Sequence, residues 1–230
     1  MVFHNLTGYD SHLIIKEVAA SPNWEGRVTL IPENKEKYIS FTKHIKGSDM
    51  SLRFIDSFRF LPSSLDKLSS YLEQHPIVNK EFTKAGYTPE QIQLLKRKGV
   101  YPYDFTASFE SLNVTELPPI EQFYSFLKEQ SISAEDYTHA QIVWKILNIR
   151  DLGHFSDIYL MTDVLLLADV FDNFRINCML DYEMDAAHFY TLAGFTWDGM
   201  LKFTRVKLER FLRIDMFLFA EKSKILSTNI

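Results

Sequence analysis

"FSDIYLMTDVLLLADVFDNFRINCMLDY", residues Phe155–Tyr182, contains no glycine or proline and predicts one long helix. Set about 100° apart around an axis, its residues place Tyr159, Leu160, Leu166, Leu167 and Val170 around Asp163, three, four or seven positions away. Asp157, Asp169 and Asp172 point about 120° or more away from it. Asp163 is thus one carboxylate in an apolar stripe, with Tyr159 one turn before it. A carboxylate buried without a partner costs several kcal/mol. Asp163 therefore either pairs with a Lys or Arg of another helix or binds a cation. Tyr159 by itself reads as a core ring with its hydroxyl at the rim.

Upstream of this helix, residues 62–150 read as short helices with clear punctuation. Pro62 precedes "SSLDKLSSYLEQH". Thr88 caps "PEQIQLLKRKG", with Pro89 in the first helical position and Gly99 as the stop. Ser133 and Asp136 form a capping box before "YTHAQIVWKIL". Between them lies an irregular aromatic loop, "YPYDFTASFESLNVTELPP". The chain up to Phe60 reads mostly as strand: "RVTLIP" and "KYISFTKHI" flank the turn "ENKE", and "SLRFIDSFRFL" alternates apolar with polar residues. "SHLIIKEVAA" is a helix, capped by Ser11 or Asp10. Nearest the N-terminus, "FHNLTGYDSHLII" sets Asn5 and Asp10 in a polar break between apolar runs. Taken singly, Asn5 reads as a turn residue and Asp10 as a cap.

The chain as a whole bounds the possible functions. At 230 residues it can bury a real core, and 46% hydrophobic with 24% charged residues is ordinary for a globular protein. The single Cys178 excludes an internal disulfide and suits a reducing, intracellular compartment. No Cys/His cluster has zinc spacing, and the start lacks the pattern of a signal peptide. No apolar run approaches the ~18 residues of a membrane span, so no membrane partner is expected. A net charge of −5 does not advertise nucleic-acid binding, but a local basic groove is what meets phosphate.

Two short motifs give these elements a context. "HNLTGYD", His4–Asp10, resembles the second exonuclease motif of family B DNA polymerases, in which an Asn precedes an aromatic–Asp pair, here Asn5, Tyr9 and Asp10. "YLMTD", Tyr159–Asp163, resembles their third, Tyr-x-x-x-Asp. With "IDSFRFLPSSLDKLSSYL", "KGVYPYDF", "LPPIEQFYSFL" and "YTHAQIVWKIL", the chain up to about Glu221 resembles the protein-primed branch. It is most similar to the polymerases of large self-synthesising (Polinton/Maverick-type) transposons, and next to viral and organellar-plasmid enzymes. A eukaryotic transposon protein would work in the nucleus.

The resemblance implies an α/β, RNase H-like 3′–5′ exonuclease domain over residues 1–182 and, over 183–230, a helix-rich approach to the polymerase palm. Such a domain uses four carboxylates to hold two Mg²⁺ or Mn²⁺ ions. One pair, Asp-x-Glu, lies on a strand before the Asn motif; the other two match Asp10 and Asp163, whose carboxylates are expected to approach one another. Two metals about 4 Å apart activate the attacking water and stabilise the leaving 3′ oxygen. Tyr159 would orient the water, and Asn5 and Tyr9 would contact the single-stranded 3′ end. No Asp-x-Glu precedes Asn5 in this sequence. The chain therefore reads as a fragment lacking its first strands, and weak metal binding with little cleavage is expected. No residue matches a motif of nucleotidyl transfer, so dNTPs would be partners only of a full-length parent.

Two further signatures carry over. "SSLDKL" matches a Ser/Thr-Leu-x-x-hydrophobic pattern, here Ser64, Leu65 and Leu68, that helps relatives hold single-stranded DNA and the priming terminal protein; alone it is a capped helix. "KGVY" matches a Lys-x-x-hydrophobic pattern that puts Lys98 near the exonuclease site. Alone, Lys98 joins Lys96 and Arg97 in compensating a helix C-terminus. Tyr101, Tyr103 and Phe105 would stack on unpaired bases or fill the loop's own small core. A catalytically inactive nucleic-acid- or terminal-protein-binding module on the same fold is the alternative, and an unrelated helical interaction protein the third reading.

Overall fold

Phe41 and Phe54, on neighbouring strands, stack at 4.2 Å and anchor a mixed four-stranded sheet. The computed structural model describes residues 1–7, 10–21, 25–34, 37–127, 129–208 and 213–227, the side chains of Asp10, Ala220 and 223–227 excepted. The strands are β1 (Val2–Phe3), β2 (Val28–Pro32), β3 (Tyr38–His44) and β4 (Ser51–Asp56), in the order β1-β4-β3-β2. β2, β3 and β4 run antiparallel in sequence, while β1 lies parallel to β4 with Phe3 beside Asp56. Gly26, at φ 146°, leads into β2; a Cβ there would sit 1.8 Å from the carbonyl oxygen of His44, so only glycine fits. Helix α1 (Asp10–Ala20) contributes Ile14, Ile15 and Val18 to the small core around Leu6, Phe41 and Phe54.

The expected strand "SLRFIDSFRFL" stops at Asp56. Its carboxylate accepts from the Phe58 amide at 3.0 Å and turns the chain into a short 3-10 turn, Ser57–Arg59. Phe60 then packs against Phe171 and Phe174, joining this segment to the helices.

Those helices are α2 (Leu65–Ser70), α3 (Pro76–Lys84), α4 (Pro89–Leu94), α5 (Ala134–Ile146) and α6 (Leu152–Tyr182), around a second core that includes Val78, Phe82, Leu152 and Leu166. The predicted caps of α4 and α5 form: Thr88 makes a full capping box with Gln91, and Ser133 accepts from the Asp136 amide; Ser11, expected as a cap of α1, lies inside that helix with its hydroxyl unbonded. Three boundaries differ from expectation. "SSLDKLSSYLEQH" is helical only over six residues, and a separate helix starts at Pro76. α6 begins at Leu152 rather than Phe155, because Asp151 accepts from the His154 amide at 2.8 Å and Gly153 is accommodated in the first turn. α4 ends at Leu94, five residues before Gly99, where the His139 ring bonds the Leu94 carbonyl at 3.0 Å.

By contacts the chain divides into two units, Met1–Leu192 and Ala193–Ile230. The second carries α7 (Leu192–Thr204) and α8 (Ile214–Ser227). No helix among the described residues is long and apolar enough to cross a membrane.

Candidate functional site

Because α4 stops early, residues 96–100 continue as irregular chain beside α6. Lys98 reaches that helix: its Nζ donates to Asp163 Oδ2 at 2.5 Å and lies 5.6 Å from the centre of the Tyr159 ring. Gly99 passes the same ring closely enough that a Cβ there would touch it at 3.6 Å. Asp163 is thus paired with a basic residue, one of the two uses open to it. Its other oxygen, Oδ1, is buried and accepts no hydrogen bond.

Tyr159 and two loop tyrosines form the wall of this site. The Tyr101 ring stacks on Tyr159 at 5.1 Å and on Phe155 at 6.1 Å, and Tyr103 stands edge-on to both tyrosines. The Tyr103 and Tyr159 hydroxyls share a hydrogen bond of 2.8 Å. Burial, then the Tyr103 hydrogen bond and the Asp163 charge, hold the Tyr159 hydroxyl far above its ordinary pKa. Tyr159 therefore keeps its proton and acts as a hydrogen-bonding group, not as a base. Beyond it, Tyr101, Tyr103, Thr106, Phe109 and Leu112 line an open depression of about 380 Å³. Tyr103 is 64% exposed and Phe109 88%. Of the loop rings, Tyr101 and Phe105 pack against the helical core, as the second of the two expected uses requires, while Tyr103 and Phe109 face outward.

The basic run is not a free cationic patch. Arg97 pairs with Asp136, which also accepts from Ser133 Oγ, and Lys98 pairs with Asp163. Nor does Lys98 compensate a helix end, since it lies four residues beyond Leu94. Ser64 is an exposed cap that accepts from the Lys67 amide, but Leu65 is buried at 8% exposure and is a core residue, not a surface contact. Asn5 sits in a left-handed turn, φ 65°, with its side chain exposed. Tyr9 and the Asp10 side chain lie outside the described residues, as does the expected approach of Asp10 to Asp163.

Among the described residues, Asp169 and Asp56 are carboxylates almost wholly shut off from solvent, and neither was among the site residues expected from the sequence. Asp169, expected to point away from the stripe, is 2% exposed and accepts from the Ile77 and Val78 amides at 2.8 and 3.0 Å. It caps α3 from another helix, where the N-cap residue His75 offers no side-chain bond. The inward arc of α6 is wider than one stripe because α2 and α3 both pack on it. Asp56, 1% exposed, accepts from Asn5 and Thr7. The apolar residues flanking "DVFDN" and the alternation of "RFID" were the available signals. Leu160 shows the reverse: placed in the stripe, it is 62% exposed. Among the described residues, no group of three His, Cys, Asp or Glu side chains is placed to hold a metal ion.

A family model described as DNA polymerase type B, organellar and viral, matches residues 1–224. Comparison with curated proteins and with solved structures gives no match.

Proposed function

Because the chain belongs to the organellar and viral type B DNA polymerases, we propose that its first unit serves the 3′–5′ exonuclease function of such an enzyme and holds the single-stranded 3′ end of DNA. One observation carries this reading. "KGVY" and "YLMTD" lie about 60 residues apart, yet Lys98 meets Asp163, and Tyr101 and Tyr103 meet Tyr159. A sheet covered by α1 suits an RNase H-like fold. In the same reading Asn5 contacts the strand, and the exposed Ser64 cap lies on a surface open to a priming terminal protein.

The chemistry of the site follows from its own groups. Mg²⁺ or Mn²⁺, when bound, would activate water and stabilise the leaving 3′ oxygen, held by Asp163 and Asp10. The fit is partial: Asp163 Oδ1 is an unclaimed acceptor, but Oδ2 faces an ammonium group, so weak binding is expected. Lys98 holds the Asp163 carboxylate in place and neutralises it. Tyr159, protonated and bonded to Tyr103, fixes the ring that a terminal base would stack on.

The ammonium at Asp163 also favours a second reading, a DNA-binding module without cleavage. A fluorescent single-stranded oligonucleotide tests both. Tyr103→Ala should weaken its binding by roughly 1–3 kcal/mol with no change in salt dependence. Mg²⁺-dependent cleavage lost in Asp163→Asn favours the exonuclease, and binding without cleavage favours the module. Parental affinity in Tyr103→Ala sinks the stacking role.

A further inference from the structure

We propose that Asp56 is the positioning residue for the Asn5 loop: from the end of β4 its carboxylate fixes the backbone of Asn5–Thr7 so that the Asn5 side chain faces the DNA strand. The proposal rests on the single-stranded DNA reading above. A carboxylate at 1% exposure must be satisfied where it lies. The bonds that satisfy Asp56 come from neutral donors. Oδ1 accepts from the Asn5 and Phe58 amides at 2.8 and 3.0 Å, and Oδ2 from the Thr7 amide and hydroxyl at 3.1 and 2.9 Å. Three of these four donors belong to the loop between β1 and α1.

The neighbouring cation is turned elsewhere. Arg59 donates to Thr7 Oγ1 at 3.4 Å and pairs with Glu33 at 2.6 Å. A buried charge held by loop amides is suited to fixing backbone shape. Asn5 has φ 65°, a left-handed turn that asparagine tolerates and that the Asp56 bonds hold in one place. The same segment secures His4, whose ring bonds Ser57 Oγ at 2.9 Å and the Ser63 carbonyl at 2.8 Å. The Asn5 side chain is left exposed beside these ties.

The test is a double-mutant cycle on the full chain, read by the affinity of a fluorescent oligothymidylate. Asn5→Ala should weaken binding about tenfold, the worth of one hydrogen bond to a charged group. Asp56→Asn, which replaces an acceptor facing Thr7 with a donor, should weaken it similarly. The double variant should bind no worse than Asp56→Asn, because a loop out of place has no Asn5 contact left to lose. Amide exchange should quicken at Asn5 and Thr7 and stay at parental rates on β3 and β4. Losses that multiply in the double variant, or strand amides that quicken with the loop, overturn the proposal. If Tyr103→Ala weakens binding while Asn5→Ala and Asp56→Asn do not, the proposal fails and the DNA reading stands. If none of the three has an effect, both fail. Should Asp56→Asn not fold, Thr7→Ala, which leaves the buried carboxylate in place, is expected to act in the same direction, and parental binding by it overturns the proposal.

Discussion

Lys98 and Asp163 are each largely buried, with side chains 31% and 21% exposed, so removing one leaves the other poorly solvated. Lys98→Met should lower stability by about 1–3 kcal/mol in urea unfolding, and adding Asp163→Leu should recover most of that loss. Additive losses would show that the pair contributes nothing as a pair. The same contact governs DNA affinity. In the intact chain the Asp163 charge holds the Lys98 ammonium, so Lys98 is not a phosphate contact in its own right. Asp163→Asn should release it, tighten single-stranded DNA and steepen the salt dependence by about 0.7 in slope, one contact's worth. An unchanged slope would place the strand away from Lys98.

At the scale of elements, two helix ends, the start of α3 and the end of α4, are secured by distant side chains. Asp169 of α6 satisfies two amides of α3, so Asp169→Ala should cost about 2–3 kcal/mol and raise amide exchange first at Ile77 and Val78. Equal exchange throughout the helices would contradict this. His139 holds the last carbonyl of α4, and His75 precedes α3. Burial lowers both pKa values, aided by Lys96 at His75 and by Arg97 at His139. Both rings stay neutral in the fold at pH values where the unfolded chain binds protons. Stability should therefore be full above pH 6.5 and decline as the pH falls below it. Urea midpoints at pH 7.5 and pH 5.5 measure this, and His139→Gln should reduce the difference; equal midpoints would contradict it. Asp185, held down to about 2 by Arg175, acts in a separate window, its contribution fading only as pH falls from about 4 towards 2.

Across the whole molecule, what could be read in the sequence was what neighbours in sequence enforce. The hairpin of β2 and β3, helix α1, the Thr88 and Ser133 caps and the long helix all carry local signals, and they form. β1, the true start of α3 and the end of α4 depend on partners tens of residues away: Asp56 lies 51 residues from Asn5 and Asp169 92 from Ile77. No periodicity reports such a partner. The site divides in the same way. Tyr159 and Asp163 were visible as one turn of an apolar stripe, and Lys98 and Tyr101 as a motif. Which cation Asp163 faces was fixed only when the loop closed over α6.

A single-stranded oligonucleotide carrying a photoactivatable 4-thiothymidine as its 3′-terminal nucleotide tests the proposed site most directly. After irradiation with the full chain, peptide mapping should find the adduct within 98–112 or 155–163, at rings such as Tyr103, Phe109 or Tyr159, and Asp163→Asn should increase its yield. Adducts confined to other parts of the chain, or equal labelling when the thio-base is moved to the 5′ end, would contradict a site for the 3′ end at Lys98, Tyr159 and Asp163.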